Sequence, residues 1–525
     1  MIEASRRQGT LHRYVGLLTG GGLAVLGWHG PWHVAVAAWL FPVLLMRFAR
    51  QSRVLPGFAT LWLVQAVGGL AWLYQTDLLA RLPAAVSVLV VTAIAALLAL
   101  PFLLDRLLAP RLKVVGSLVF PLGWVSVEFL LAQITPFGAF VVLGTTQYDN
   151  LPLIQIASVA GAYGVSFLVT WCAPIVNQVR ERTPGWPRQV LTYAAVLVTV
   201  LAAGGARLTF FPSSAPLVRV AAISPSRAAA EKRAAATAGL RARYGSFQQV
   251  LTRAPQAERQ AIAGVTDELL ARSEQEAAAG AKIIAWSETG AWTMQRDLDA
   301  LLARVRALTA KHHVYLVAGL SVYADQAPYL RNKTIMVTPD GRVAWDYDKT
   351  HPTPMEALTP GSGRVPVIAT TYGDLAGAIC YDADFPALMR QAAGRAGLMI
   401  VPSRDWQGMG EAHAQRAVFR AVENGYTLLR PADEGLSEAV DPHGRVLATA
   451  DSFATDQVSM VAYLRAQVVR TVYGTVGDLF SWLCLTGLAV VIVVSAIRPA
   501  RRWTAVVDEN DPARRPKGRR GIRVG

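Results

Sequence analysis

The hydrophobic pattern divides the chain into long apolar runs and one polar stretch. A helix needs about 20 apolar residues to cross a bilayer, and eight runs approach that length. They lie near residues 10–28, 31–48, 55–75, 84–108, 114–134, 152–176, 189–211 and 476–497. The pattern predicts seven membrane helices, one large polar domain and a final membrane helix. The predicted segments are a membrane domain over 1–213, a polar domain over 217–470, an eighth membrane helix over 474–498 and a basic tail over 499–525.

Within residues 217–470, short apolar runs alternate with amphipathic stretches. Strands are predicted at 217–223, 282–286, 314–323, 333–338, 375–379, 398–402 and 426–430. Helices are predicted at 247–279, 298–311, 386–396 and 411–424. This order is typical of an α/β domain in which sheets are covered by helices.

Composition changes the interpretation of the charge. Of 525 residues, 53% are hydrophobic and 17% are charged, with a net charge of +15. Lys and Arg beside a membrane helix keep that end in the cytoplasm. They concentrate before the first run, in the second-to-third, fourth-to-fifth and sixth-to-seventh connections, and after the eighth run. We therefore expect both termini in the cytoplasm, the polar domain outside, and lipid rather than nucleic acid as the partner.

The cysteines exclude some classes of site. The chain has three, Cys172, Cys380 and Cys484, with no Cys-x-x-Cys pair, so neither a disulfide scaffold nor a cysteine zinc site is indicated. Cys172 and Cys484 lie within apolar runs and are interpreted as packing residues. No metal site and no cofactor are predicted.

Three reactive side chains follow predicted strand ends in the polar domain: Glu288, Lys349 and Cys380. Strand ends can direct polar groups into one pocket. A carboxylate can act as general base, a thiol as nucleophile and an ammonium as the group that stabilises an oxyanion, which together suffice for acyl transfer. Singly, each also has a structural explanation: a helix-capping carboxylate, a solvated lysine and a small core cysteine.

The flanking residues change that balance. Trp286-Ser287-Glu288-Thr289, the Tyr-Asp-Lys-Thr-His run at 347–351 and the Cys-Tyr-Asp-Ala-Asp-Phe-Pro run at 380–386 resemble three signature blocks of the carbon–nitrogen hydrolase (nitrilase) superfamily. That resemblance implies a Glu288-Lys349-Cys380 triad on an αββα sandwich. With further blocks at 124–128, 161–168, 416–430 and 473–478, the chain is similar to the apolipoprotein N-acyltransferase family. The fold class implied is a multi-pass α-helical membrane protein of about eight helices with an inserted nitrilase-like α/β domain.

The resemblance also implies a reaction and a place. Cys380 would take an acyl chain from a phospholipid, phosphatidylethanolamine, as a thioester, and pass it to the α-amino group of the diacylglyceryl-cysteine of a lipoprotein. The site would face the periplasmic side of a bacterial cytoplasmic membrane. Supporting or binding roles are implied for seven residues: Glu356, Asp382, Tyr381, Trp286, His351, Trp406 and Glu423.

Some features depart from the family pattern and leave alternatives open. The run His351 to Glu356 is one residue shorter than usual and lacks a glycine, and Asp382 replaces a glutamate. The Pro- and Gly-rich stretch 351–363 is interpreted as a mobile lid. The same triad would also serve a membrane-tethered amidase, and a degenerate member would act only as an interaction module. Glu128, within the fifth run, either reaches the site or the lipid headgroups, or forms a hydrogen bond between helices.

Overall fold

A computed structural model describes residues 2–497 apart from 29, 245–246, 254, 357 and 457–458, so the predicted tail at 499–525 lies outside the described residues. The first seven apolar runs form seven long helices. Their bounds are α1 Ile2–Leu26, α2 Ala35–Gln51, α3 Val54–Gln75, α4 Ala84–Leu108, α5 Val119–Ile134, α6 Ala157–Glu181 and α7 Trp186–Phe210.

The polar stretch folds into strands and five further helices. The helices are α8 Arg227–Tyr244, α9 Phe247–Arg253, α10 Gln256–Ala278, α11 Leu298–His312 and α12 Gly410–Asn424. The eighth apolar run forms the last helix, α13 Leu479–Ile497. Four single-turn helices complete the described set: Leu78–Arg81, Leu151–Ile154, Pro386–Met389 and Val472–Val476.

By length and composition, six helices of the described chain can cross a membrane: α3, α4, α5, α6, α7 and α13. The first two predicted spans fall outside this set for separate reasons. Helix α1 begins with basic and polar residues, and α2 has 17 residues with Pro42 inside it. Both still pack in the membrane domain, since Leu17, Ala24 and Phe41 belong to its core.

The basic connections between the helices gather at one end of the membrane domain. Arg50, at the end of α2, is buried and its Nε lies 2.8 Å from Oδ2 of Asp105 on α4. Its Nη1 lies 3.1 Å from Oε2 of Glu181 on α6. The polar domain contacts the opposite end, where Thr76 follows α3 and Pro136 follows α5. The basic connections and the polar domain therefore lie at opposite ends of the membrane domain, which is the arrangement that the charge pattern predicts.

The polar domain contains two sheets. Its strands are β1 Val218–Ile223, β2 Ile283–Trp286, β3 Ala291–Met294, β4 Tyr315–Tyr323, β5 Leu330–Val337, β6 Val343–Asp348, β7 Val367–Ile368, β8 Leu375–Gly377, β9 Leu398–Ile400, β10 Ser403–Arg404, β11 Thr427–Arg430, β12 Ala432–Asp433, β13 Leu436–Val440, β14 Val446–Asp451 and β15 Ser459–Leu464. The first sheet has the order β15-β1-β2-β4-β5-β6, with β3 beside β4. The second has the order β14-β13-β11-β9-β8-β7, and β10 pairs separately with β12.

Side chains alternate between the two faces of each strand, so each sheet has an inner and an outer face. The two sheets form the inner layers of an αββα sandwich, as the fold class predicts. Val220 and Ile283 of the first sheet share a core with Leu398 and Leu429 of the second. The outer face of the first sheet packs against α10 and α11. The outer face of the second packs against α12, and that core continues into the membrane helices. Helix α12 is buried at every position except Glu411, because it lies between the sheet and the membrane domain.

Two helix predictions need correction. The predicted helix 247–279 is two helices, α9 and α10, because Pro255 lies between them in extended conformation. The predicted helix 386–396 is wrong beyond residue 392. Only Pro386–Met389 and a 3-10 turn over Arg390–Ala392 form, and Ala393 is extended before Gly394 adopts a φ of +69°. Helix α8 lies at residues for which no element was predicted.

Candidate active site

The structure brings Glu288, Lys349 and Cys380 together, although they come from both sheets. Glu288 follows β2, Lys349 follows β6 and Cys380 follows β8. Nζ of Lys349 donates to Oε1 of Glu288 over 2.8 Å, and both side chains are almost completely buried. The charges of both residues act on the Cys380 thiol. The three side chains that the sequence singles out therefore form one buried cluster.

The backbone presents Cys380 in an unusual conformation. Its φ is +45°, in the left-handed region that a residue with a Cβ seldom adopts. The residue opens a 3-10 turn, Cys380–Asp384, and its backbone N donates to the Pro402 carbonyl over 2.9 Å. Such conformations persist where the surroundings hold them, and they concentrate at functional sites. The turn places Sγ next to the Arg404 carbonyl oxygen, 3.6 Å away.

Both oxygens of Glu288 are held by hydrogen bonds. Nδ2 of Asn332, on β5, donates to Oε1 over 2.6 Å. The backbone N of Arg404 donates to Oε2 over 2.8 Å. Because donors approach from two elements, the carboxylate has a fixed orientation beside the thiol, as a general base requires.

Lys349 lies between two carboxylates. Besides Glu288, it donates to Oε1 and Oε2 of Glu356 over 3.0 and 2.8 Å. Burial lowers the pKa of Lys349, but Glu288, Cys380 and Glu356 outweigh that effect and raise it well above its usual value. The amine is therefore a permanent cation, suited to a developing oxyanion. Glu356 lies in the stretch 351–363, whose described residues contain no helix or strand.

The thiol is held in its protonated form. Burial, and next the negative charge of Glu288, raise the pKa of Cys380 well above its usual value, although Lys349 and Arg430 act in the opposite direction. A buried thiol of this kind is a poor nucleophile until a base removes its proton. The charge of Glu288 acts on this thiol more strongly than that of Asp405, so Glu288 is the candidate base.

Asp382 connects the nucleophile turn to the segment that follows Lys349. Its Oδ2 accepts from the hydroxyl of Tyr347 over 2.8 Å and from the backbone N of Ile379 over 3.0 Å. Its Oδ1 accepts from the backbone N of His351 over 2.7 Å. The His351 ring stacks on Phe385, with centroids 3.6 Å apart. Asp382 and His351, both predicted as supporting residues, thus fix Lys349 relative to Cys380.

Tyr381 and Trp406 connect the site to the membrane domain. The hydroxyl of Tyr381 donates to the Pro136 carbonyl, after α5, over 3.0 Å. Nε1 of Trp406 donates to the Thr76 carbonyl, after α3. Gly138 approaches so closely that a Cβ there would collide with the Asp384 carbonyl, which follows the nucleophile. The candidate site therefore lies directly on the loops that join the membrane helices.

Comparison with known proteins shows which families this chain resembles. The family model described as Carbon-nitrogen hydrolase matches residues 235–473, and that described as Apolipoprotein N-acyltransferase N-terminal domain matches residues 20–175. Apolipoprotein N-acyltransferase of Geobacter metallireducens is 26% identical over 409 residues, covering 72% of this chain and 73% of its own. That of Haemophilus ducreyi is 24% identical over 471 residues, covering 83% and 86%. Over most of its length, the chain is similar to apolipoprotein N-acyltransferases.

Among solved structures, an amidase from Nesterenkonia sp. is similar to this chain. The match has 21% identity and a TM-score of 0.36, and covers 48% of this chain and 92% of the amidase.

Two of the residues predicted to support the site lie outside the cluster of Glu288, Lys349 and Cys380, which corrects that prediction. Nε1 of Trp286 donates to Oγ of Ser273 on α10 over 2.8 Å, and its ring packs in the core outside the first sheet. Oε1 of Glu423, on α12, accepts from the backbone N of Ala162 on α6 over 2.8 Å. Trp286 faces outwards because side chains alternate along β2, and Glu423 joins the catalytic domain to the membrane domain.

A buried network of ion pairs beside the nucleophile was not predicted from the sequence. Nδ1 of His413, on α12, lies 2.8 Å from Oδ1 of Asp405, and its Nε2 lies 3.1 Å from Oδ2 of Asp384. Nη2 of Arg430 lies 2.6 Å from Oδ2 of Asp405 and 3.1 Å from Nδ1 of His413. The sulfur of Cys380 and ligand atoms of Asp405 and His413 fall within 4.8 Å of one another. The guanidinium of Arg430 already supplies positive charge here, so the donor set fits an ion-pair network better than a metal centre.

Glu128 has structural partners within the membrane domain. Its Oε1 accepts from Nε1 of Trp124 over 2.7 Å and from the backbone N of Leu143 over 2.8 Å. The side chain is fully buried in the membrane domain. Of the two interpretations left open, these contacts favour the hydrogen bond that holds the α5–α6 connection against α5.

Proposed function

We propose that the protein N-acylates lipoproteins at a membrane, through a thioester on Cys380. The observation that carries this proposal is the buried Glu288-Lys349-Cys380 cluster resting on the loops of the membrane domain. Acyltransferase activity is the activity named for the relatives that cover most of the chain.

In the first step, Glu288 accepts the proton of the Cys380 thiol, and the sulfur attacks the ester carbonyl carbon of a phospholipid. The C=O oxygen becomes an oxyanion, which the ammonium of Lys349 stabilises. The ester C–O bond then breaks, and the departing lysophospholipid oxygen receives the proton held by Glu288. An acyl thioester remains on Cys380. We propose phosphatidylethanolamine as the donor.

In the second step, the α-amino nitrogen of the diacylglyceryl-cysteine of a lipoprotein attacks the thioester carbonyl. Glu288 accepts the proton that this nitrogen loses. The C–S bond breaks, an amide forms, and the proton passes from Glu288 to the departing Cys380 sulfur. Both steps use the same base and the same oxyanion site, so the enzyme ends each cycle in its starting state.

The acyl chains of both lipid substrates favour a reaction site in contact with the bilayer. Removing an acyl chain from lipid costs about 0.8 kcal/mol for each CH₂, so a site in contact with the bilayer avoids that cost. The contacts of Tyr381 and Trp406 with membrane-domain loops support such a position. We place this site on the periplasmic face of a bacterial cytoplasmic membrane, with both termini in the cytoplasm, because the basic connections lie at the opposite end.

A membrane-tethered amidase would use the same three side chains, with water as the second acceptor. The comparisons do not favour it, because the N-terminal match and the curated relatives are those of acyltransferases.

Mass spectrometry of a lipoprotein N-terminus tests the proposed function. Cells depleted of their own N-acyltransferase and supplied with this chain are expected to contain the triacylated form. The Cys380→Ala variant, expressed at the same level, is expected to leave the diacylated form. Unchanged diacylated lipoprotein with the native chain would contradict N-acylation.

A further inference from the structure

A cavity of about 920 Å³ lies beside the triad. It is lined by residues that hold the triad in place: Asn332, which contacts Glu288, Glu356, which contacts Lys349, and Arg404, whose backbone N contacts Glu288. The cavity therefore borders the residues that position the triad, while Glu288, Lys349 and Cys380 themselves are not part of its described lining. Its volume falls in the range of pockets that enclose a drug-sized ligand.

The cavity lies on the side of the triad away from the membrane helices. Its described lining comes from α8, from β3, β4 and β5, from the loop before Leu358 and from the segments around β12 and β14. None of that lining belongs to residues 2–211. The other side of the nucleophile turn, by contrast, contacts Pro136 through Tyr381. The triad thus separates a membrane-facing side from a cavity whose described lining comes from the catalytic domain.

The charge of the lining is negative. It contains five acidic residues and three arginines: Glu231, Glu356, Asp433, Glu434, Asp456, Arg227, Arg233 and Arg404. Arg404 pairs with Glu434 over 2.7 Å and approaches Asp433 at 3.7 Å. Glu231 and Asp456 are exposed, and within the described chain neither forms an ion pair with a basic side chain. Such an excess of acid favours a cationic occupant over an anionic one.

We propose that this cavity binds the polar polypeptide segment that follows the lipidated cysteine of the acceptor, and that its acidic rim favours segments with positive charge. The inference rests on the proposed function. Two substrates carry a suitable ammonium group, the acceptor and an ethanolamine headgroup. The headgroup is tied to two acyl chains that stay in the bilayer, whereas the acceptor polypeptide must extend into water. A cavity without membrane-domain lining therefore suits the acceptor.

The two half-reactions separate these sources. Thioester formation on Cys380 is followed with phosphatidylethanolamine vesicles alone, and acyl transfer is then followed with diacylated lipopeptides that carry either lysines or glutamates after the cysteine. The test variant is Glu231→Lys with Asp456→Lys. Asp299→Lys, an exposed charge reversal at the start of α11 and outside the cavity lining, is the matched control.

The native enzyme is expected to have a higher kcat/KM for the lysine peptide. The double variant is expected to reduce that preference by about two- to fivefold for each reversed charge, with an unchanged rate of thioester formation. Ala230→Trp, which adds bulk to the lining, is expected to raise KM for both peptides without changing thioester formation. The Asp299→Lys control is expected to behave as the native enzyme.

Three results would overturn the inference. Normal thioester formation with an unchanged peptide preference in the double variant would refute the site and leave the proposed function intact. A slower thioester step in that variant would assign the cavity to the donor headgroup. Absence of a thioester in the native enzyme would instead refute the proposed function, and the inference with it.

Discussion

Glu288 is the residue on which the proposed chemistry depends most directly. The Cys380 thiol is buried and its pKa lies well above the usual value, so a base must remove its proton. Positioned general bases contribute about 10²- to 10⁴-fold to rate. We expect Glu288→Gln to slow thioester formation by that factor, measured in a single turnover with phospholipid. An Asp299→Asn variant controls for the change of charge, and a native rate in Glu288→Gln would show that another group accepts the proton.

The buried carboxyl of Glu438, on β13, is expected to make the stability of the fold depend on pH. Burial raises its pKa from 4.5 to about 7, although Arg430 acts in the opposite direction. The folded protein therefore holds this proton more tightly than the unfolded chain does. The resulting stabilisation is complete below pH 4.5 and is lost as the pH rises to 7, a change of about 3 kcal/mol.

The Glu438→Gln variant imitates the protonated acid and should lack that loss. Measured as Tm in detergent, the variant is expected to gain stability relative to the native protein between pH 4.5 and 7. A constant difference in Tm over that range would show that Glu438 does not titrate in the folded protein.

The sequence identifies the reactive residues better than the residues that hold them. Glu288, Lys349, Cys380 and Glu356 lie in short blocks that can be recognised at strand ends. Asn332 is a polar residue inside β5, and only the pairing of β5 with β4 and β6 brings it to Glu288. The partners of His413 likewise depend on how α12 packs, which no local pattern encodes.

At the scale of elements, helix α6 is broken where the catalytic domain attaches. Gly161 has a φ of +66° and a ψ of −178°, a conformation that is nearly exclusive to glycine. The break leaves the backbone N of Ala162 free of the helix, and Glu423 accepts its hydrogen bond. A Cβ on Gly161 would lie 2.8 Å from Cε2 of Tyr473. Blocks at 161–168, 416–430 and 473–478 therefore meet at one junction.

Gly161→Ala is expected to destabilise this junction by about 1–3 kcal/mol, because alanine is strained in this backbone conformation. Its Cβ would also crowd Tyr473. Gly205→Ala is the matched control, since a Cβ there meets no atom within 4 Å in helix α7. The measurement is the Tm of each variant in detergent. Equal Tm values for the two variants would contradict the role assigned to the break.

The apolar periodicity predicts the long helices and the central strands correctly, because burial decides both. It fails where local conformation decides, as at residues 393–396 after the short helix Pro386–Met389. It also says nothing of which helix faces which. The position of α12 between the second sheet and the membrane domain follows from packing across the whole chain.

At the scale of the whole molecule, the proposed topology puts the catalytic domain and the basic connections on opposite sides of the membrane. Asp299→Cys places a thiol on the catalytic domain, and Arg188→Cys places one in the first turn of α7, at the end of the membrane domain that carries the basic connections; both positions are exposed. A membrane-impermeant thiol reagent applied to cells with a permeabilised outer membrane is expected to label only the first. The native chain is the control for labelling of its own cysteines. Labelling of Arg188→Cys alone would reverse the proposed topology.

In the proposed reaction, Cys380 carries the acyl chain between the two lipids. The purified protein, mixed with phospholipid in detergent and examined by intact-mass spectrometry, is expected to gain one acyl group. Peptide mapping is expected to place that group on Cys380, and hydroxylamine is expected to remove it, as it removes thioesters. The Cys380→Ala variant should show no adduct, whereas Cys172→Ala should behave as the native protein. No adduct on the native chain, or an equal adduct on Cys380→Ala, would contradict a thioester intermediate on Cys380.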